Sequence, residues 1–325
     1  MGKAYDVIIA VGGPVGLFLA CELGLRGTSV LILESNPKSE SPWKIEPLGR
    51  RGLNTPSVKA FYRRGLLDKL FDCEDQPSTI RKTSVFHFGG HFVGIMLNAN
   101  KLELDRWKYR LPGPFLTLGP TTIKKIEAVL IERAESLGVA ILRDKAVNEI
   151  VAQSGIGITV KTSSDDASCN SRWLDVMNRV TGITDLEITT VHLVSSYTDR
   201  SKQATSYRKG RILLAGDAAH IHSSLGAQGL NVGLGDAMNL GWKQATTIRQ
   251  EAISNKNPVD LTLLDIYENE RHPVGAWVLG WTRAQVAMLQ PDLYGAAIQT
   301  LRRDLIDTPV GTNLFLDRIW GLSQR

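Results

Sequence analysis

An α/β fold built on a parallel sheet is predicted from three features of the sequence. Tyr5-Asp6-Val7-Ile8-Ile9-Ala10-Val11 is a short β-rich run with no alternation, as a strand buried on both faces requires. It meets Gly12-Gly13-Pro14-Val15-Gly16 and then a helical spacing through Leu17, Ala20, Leu23 and Leu25, closed by Gly27. A second apolar run, Ser29 to Leu33, ends at Glu34 and completes a βαβ unit whose first turn aims a helix N-terminus at an anion.

Composition fits a globular chain of one large or two medium domains: 325 residues, 43% apolar and 22% charged, with 30 Gly and 13 Pro. Disorder, collagen and a disulfide scaffold are excluded. The formal charge of +5 is spread without blocks, so no nucleic-acid partner is expected. Cys21, Cys73 and Cys169 lack the spacing of a disulfide framework or a zinc site, and a reducing, cytoplasmic location is expected. The stretch Val7 to Leu25 carries Gly12, Gly13, Pro14, Gly16 and Glu22 and changes period midway, unlike a leader or a membrane span.

In a dinucleotide fingerprint the first glycine permits the tight turn, the second admits a pyrophosphate, and the third packs helix on strand. Here those places hold Val11, Gly13 and Gly16, since Gly12 falls at a wildcard position. A β-branched residue at the first place clashes if the turn needs a positive φ.

A second signal lies downstream. Arg211 to Ala215 reads as a buried strand running into Gly216-Asp217-Ala218-Ala219-His220, with Asp217 at its end. Gly226-Ala227-Gln228-Gly229-Leu230-Asn231-Val232-Gly233 reads as a glycine-rich loop, followed by a helix from Leu234 to Ile248. Further helices are expected over Ile126 to Gly138, Leu261 to Gln285 and Asp292 to Ile306, and a hairpin around His87 to His91. His220 and His222 lack a suitably spaced third metal ligand, and no G-x-S-x-G elbow accompanies Ser223 and Ser224. Arg63 to Lys69 reads as a solvated helix face.

Together, Val7 to Glu34 and Arg211 to Lys243 resemble the FAD-dependent aromatic hydroxylases, in their polyketide and phenol hydroxylase branch. Pro47 to Asn54, Phe61 to Leu67, Arg106 to Pro114, Tyr197 to Asp199 and Glu270 to Gly275 extend the resemblance over nearly the whole chain. It implies a Rossmann-like FAD-binding domain, with NADH or NADPH as reductant, O2 as oxidant and a small aromatic substrate that is phenolic or polyketide-like. By position, Gly13, Val15 and Gly16 would line the pyrophosphate turn and Glu34 would hold the adenosine ribose. Arg51 would offer charge to the diphosphate, with Arg50 equally available, and Asp217 would meet the ribitol chain. The amides around Gly229, Leu230 and Asn231 would stabilise negative charge on the flavin ring. No catalytic residue is assigned, and no metal.

The chain departs from that family at one place above all. Ser171 to Leu174 looks like a strand that should enter a Gly-x-Asp-Gly turn and a substrate sheet, yet it passes directly to Asp175 to Gly182, which resembles the helix beyond that sheet. An internal segment is therefore read as absent near Leu174/Asp175. The expected organisation is residues 1–160 as the first part of the FAD-binding domain, 161–205 as a remnant of the substrate domain, and 206–325 as its second part with carboxyl-terminal helices. Surfaces uncovered by the loss should favour self-association, and a thinner ceiling over the flavin should impair hydroxylation. Ile123 stands where a polar, cofactor-facing residue is expected. Two other readings remain: a flavin-poor derivative that binds a ligand or partner without redox chemistry, and a non-functional truncated product.

Overall fold

The computed structural model describes residues 4–46, 48–71, 87–88, 97–107, 119–153, 158–163, 200–223, 228–253, 260–290 and 292–321. The strand read at Ser171 to Leu174 and the proposed junction lie outside them, as do Tyr109 and Tyr197.

The βαβ unit forms as read. Strand β1 (Val7–Ala10) pairs in parallel with β2 (Val30–Glu34), Val7 opposite Val30, and β2 pairs in parallel with β7 (Ala140–Arg143). Between β1 and β2 runs helix α1 (Pro14–Gly24), with every residue from Leu17 to Leu23 buried. A helix apolar on all sides belongs in the middle of a core, and α1 is packed between α4 (Ile123–Ser136) and α5 (Gly229–Ile253). Gly27, at φ +77°, turns the chain into β2. Glu22 sits on this buried helix at 1% exposure and is paired with Arg64 and, at 3.2 Å, with Arg26. Within the segment read as a solvated face, Arg63, Asp68 and Lys69 are exposed as expected, and of its charged residues Arg64 alone turns inward as the partner that the buried Glu22 carboxylate requires.

Strand β3 (Arg50–Leu53) pairs antiparallel with β6 (Gly119–Thr122), the latter leading directly into α4. Helices α2 (Thr55–Tyr62) and α3 (Leu67–Leu70) follow β3. Of the hairpin expected over His87 to His91, β4 (His87–Phe88) pairs antiparallel with β5 (Leu97–Asn98), and residues 89–91 lie outside the described residues. Strand β8 (Ala146–Gln153) pairs antiparallel with β9 (Ile158–Ser163).

The carboxyl-terminal half departs more from expectation. Of the run Arg211 to Ala215 only Ile212–Leu213 is a strand, β12, and it pairs antiparallel with β11 (Arg208–Lys209) rather than joining the parallel sheet. That sheet has three strands among the described residues, in the order β1-β2-β7, so β1 is an edge and its Ile8 is 39% exposed. Strands β10 (Lys202–Gln203) and β13 (His220–Ile221) form another short pair. Helices α6 (Thr262–Ala287), α7 (Leu293–Ile306) and α8 (Pro309–Ile319) close the chain. Helix α5 begins at Gly229, so Gly229, Leu230 and Asn231 are its first turn, not a loop before it.

Candidate functional site

Two turns and two helix N-termini meet in one cavity of about 1880 Å³. Its lining includes Gly13, Val15 and Gly16 from the first turn, Arg51, Asp217 from the second turn, and Gly229, Leu230 and Asn231 from α5. Eight of the nine sequence-predicted site residues are therefore brought together. The exception is Glu34, which stands behind the first turn and accepts the Gly12 N–H at 2.7 Å and the Asn36 N–H at 2.8 Å.

The first turn has the shape of a dinucleotide fingerprint with one unsuitable residue. Val11 donates its N–H to the Leu33 carbonyl at 2.8 Å and adopts φ +94°, a region that β-branched residues almost never enter. Gly13 caps α1, leaving first-turn N–H groups facing the cavity, and a Cβ on Gly13 would meet nothing closer than 4.0 Å. A Cβ on Gly16 would lie 2.2 Å from the Val11 carbonyl oxygen and 3.2 Å from Ile9 Cγ2. The Gly13 position is thus open, whereas the Gly16 position is closed against the turn and β1.

In the second turn the required glycine is present. Gly216 has φ +61° and opens a 3-10 turn, Gly216–Ala218, which exposes Asp217 to the cavity. Val15 links the two turns by packing: Cβ atoms on Gly216 and Gly233 would lie 3.2 and 2.6 Å from its methyl groups. At the start of α5, the Asn231 side chain accepts from Asn54 N–H at 2.9 Å and donates to the Gly52 carbonyl at 3.0 Å, fixing that N-terminus against β3. Arg51 donates to the carbonyls of Leu48 and Arg50 at 2.9 and 2.7 Å, and burial lowers its pKa. Arg50 lines the same cavity and pairs with Glu46 at 3.6 Å. Ile123 also faces in, as an apolar residue where a polar one was expected.

The residues fit FAD at its pyrophosphate and flavin-facing ends. Two glycine-bordered helix N-termini present backbone donors and positive dipole ends to one space, flanked by two arginines. The cavity exceeds the roughly 300–1,000 Å³ of an ordinary small-molecule pocket, because it continues along the edge of β1 that has no partner among the described residues, to Arg211 through Ala215.

Sequence reasoning missed the buried network behind the second turn. Asp236 on α5 is fully buried, accepts from Gly216 N–H at 3.0 Å and from Arg271 Nε at 2.7 Å, and bonds His220 Nε2 at 2.7 Å. Burial pushes its carboxyl pKa up, but the His220 hydrogen bond and the Arg271 charge outweigh this and hold it below the usual range. His220 Nδ1 lies 2.8 Å from His222 Nε2. His222 lines the cavity, and its Nδ1 is buried without a partner among the described residues, as is Gln285 Nε2. Burial, and then the neighbouring His220, lower the His222 pKa to about 4. One signal was available in the sequence: Asp236 is a charged residue between Leu234 and Ala237 on the apolar side of a helix, which demands a buried partner.

Among the described residues no group of three or more His, Cys, Asp and Glu is arranged to hold a metal ion, and no helix is long and apolar enough to cross a membrane.

Residues 147–282 match the family described as FAD binding domain. The chain is 38% identical to a monooxygenase of Claviceps purpurea (strain 20.1), a match covering 98% of this chain and 77% of that protein. That match extends over 401 residues against the chain's own 325, so the relative carries at least 76 positions inside the matched span that this chain lacks. A dialkyldecalin synthase of Streptomyces rugosporus is 29% identical, with 87% of this chain and 73% of that one covered. Among solved structures, the anhydrotetracycline hydroxylase from Streptomyces rimosus superposes with a TM-score of 0.76 at 27% identity, covering 99% of this chain and 76% of that one. The glycine-bordered turns, the cavity they share and these likenesses agree: the chain belongs to the FAD-dependent aromatic monooxygenases.

Proposed function

We propose that this chain hydroxylates a small phenolic or polyketide-like aromatic compound with NADH or NADPH and O2, the internal loss lowering its efficiency. The observation that carries this reading is the convergence of the two helix N-termini and the Gly216–Ala218 turn on one cavity. In this reading the amides of Gly13, Val15 and Gly16 receive the pyrophosphate, while Arg51 balances the diphosphate charge. Glu34, already oriented by Gly12 N–H, keeps carboxylate lone pairs for the adenosine ribose. Asp217 accepts from the ribitol chain, and the first-turn amides of α5, at Gly229, Leu230 and Asn231, stabilise negative charge on the ring. FAD held there would supply the redox chemistry by which NAD(P)H and O2 deliver one oxygen atom to the ring and release the other as water. The chain's own part is to orient the substrate and keep water out.

The loss near Leu174/Asp175 bears on that second task, and the excess of the matched span over the chain's length supports it. The division into 1–160, 161–205 and 206–325 belongs to the same proposal. So does self-association, supported by the apolar residues exposed on α7, where Leu293 is 87%, Tyr294 80% and Leu301 62% exposed. A cytoplasmic location without nucleic-acid or membrane partners completes the reading.

The test is the visible absorption spectrum of the protein after FAD is added and the excess removed by gel filtration. A retained flavin spectrum, followed by NAD(P)H oxidation that a phenol accelerates, is the expected result. A colourless, folded protein overturns it and favours the second reading, a non-redox derivative that binds a polyketide-like ligand. Two observations support that alternative: the strained Val11, and a relative named for a synthase rather than an oxygenase.

A further inference from the structure

Among the described residues the parallel sheet stops at β1, yet a second extended run lies across the cavity from it. Val7 and Val11 donate their N–H groups to the Ser29 and Leu33 carbonyls at 3.2 and 2.8 Å. Alternate residues of a strand in a parallel pair address opposite sides, so Ile8 and Ala10 turn their N–H and C=O groups away from β2. Both are exposed in a strand whose Val7 and Ile9 are buried, and both line the cavity.

The facing wall has the same character. Leu214 spends its main-chain groups on the far side, donating to the Tyr207 carbonyl at 2.9 Å and accepting from the Tyr267 hydroxyl at 2.7 Å. Its neighbours Leu213 and Ala215 therefore point theirs the other way, and both line the cavity. Ala215 is extended, at φ −145° and ψ 151°, so the run stays strand-like up to Gly216. The two walls run in the same direction, because they end in the two turns that Val15 joins.

We propose that the slot between these walls is a docking site for an extended segment of another polypeptide, which enters as a strand between β1 and the run Leu213 to Ala215. The walls call for a strand rather than a compact ligand. Each presents main-chain donors and acceptors at alternate residues, and only another main chain matches such a row on both of its own edges. A compact apolar compound would cover those groups without bonding them, which is costly. Apolar side chains reach the same space from helices, as Leu240 and Ile248 of α5 and Leu264 of α6, and from a strand pair, as Ile150 of β8 and Val160 of β9. The segment is therefore an unbroken β-branched and apolar run, as in strands buried on both faces, and not an alternating one. The four residues of β1 set its length. None of the residues assigned to FAD forms a wall of the slot, so the docking site is independent of the cofactor reading.

The probe is an acetylated, fluorescently labelled peptide carrying Val-Ile-Val-Val between lysines, added to the full chain without FAD. In the chain alone, the amides of Ile8 and Ala10 are expected to exchange with deuterium about tenfold or more faster than that of Ile9, which faces β2. Saturating peptide should slow both by about tenfold or more, with saturable binding by fluorescence anisotropy. The same peptide N-methylated at alternate residues keeps its side chains but loses main-chain donors, and should bind about tenfold or more weakly. Slow exchange at Ile8 and Ala10 before any peptide is added would mean that this chain or a second copy already fills the slot, and overturns the proposal. Absence of saturable binding overturns it as well. Equal binding of the N-methylated peptide also overturns it, by reducing the slot to an apolar cleft without strand pairing.

Discussion

The two turns that meet in the cavity face the same backbone demand and answer it with different residues. At the second turn a glycine takes φ +61° without cost, and the turn is fastened from behind by Asp236. At the first turn Val11 takes φ +94°, held by its own N–H to Leu33 and by the close approach of Gly16 to its carbonyl. The surrounding βαβ unit is strong enough to impose a conformation that the residue resists. Strain of this kind persists only where neighbours over-determine it, so the first turn keeps its shape at the expense of stability, whereas the second contributes stability.

The comparison breaks most readily at the second turn. Asp236→Ala would leave Arg271 buried without its anion and remove the acceptor for both His220 and Gly216 N–H. Removing one partner of a buried pair costs about 3–5 kcal/mol, which we expect as a drop in the denaturant midpoint with an unchanged slope. A loss under about 1 kcal/mol would mean that the network does not fasten the turn. The matching test of the first turn is Gly16→Ala, whose methyl would stand 2.2 Å from the Val11 carbonyl oxygen. We expect a loss of about 1–3 kcal/mol, the range for overpacking, together with loss of FAD on gel filtration. Retention of FAD would show that helix and strand can separate there without harm.

Acid should act on the second turn first. The His222 pKa falls from 6.5 to about 4 on folding, so the unfolded chain takes up the proton at higher pH than the folded one. Its contribution is present above pH 6.5 and is lost as the pH falls towards about 4. Allowing for partial exposure, this is about 2 kcal/mol. The lowered Asp236 pKa has the same sign and acts below the ordinary carboxylate range. Stability curves at pH 7 and pH 4.5 measure the slope, and His222→Phe should flatten it.

What could be read from the sequence divides along the same line. The βαβ unit was legible to within a few residues because its signals are local: an unbroken apolar strand, glycines in the turn and a helix start at Pro14. The fate of Arg211 to Ala215 was not legible, because a strand's place in a sheet depends on its neighbour, and β1 has no second partner among the described residues. Gly229 to Asn231 line the cavity, but as the first turn of α5 and not in the expected loop, since a glycine-rich stretch gives no helical period until packing supplies one. The Asp236–His220–His222 chain joins residues whose association depends on how α5 crosses the second turn, which no spacing rule encodes.

The smallest effect is the sharpest test of the comparison. Val11→Gly gives the first turn the residue that the second already has. Relief of a sparsely populated backbone region is worth about 1–3 kcal/mol, set against about 0.5–1 kcal/mol for the greater freedom of glycine in the unfolded chain. Little apolar burial is lost, because the valine is 61% exposed. We therefore expect a net gain of about 1 kcal/mol in chemical denaturation and tighter FAD binding by fluorescence titration. A gain in stability with unchanged FAD affinity would separate strain from binding and assign the cofactor's hold to the second turn and α5. A loss of stability would show that Val11 is not strained in solution, and the contrast between the turns would then lie only in the Asp236 network behind one of them.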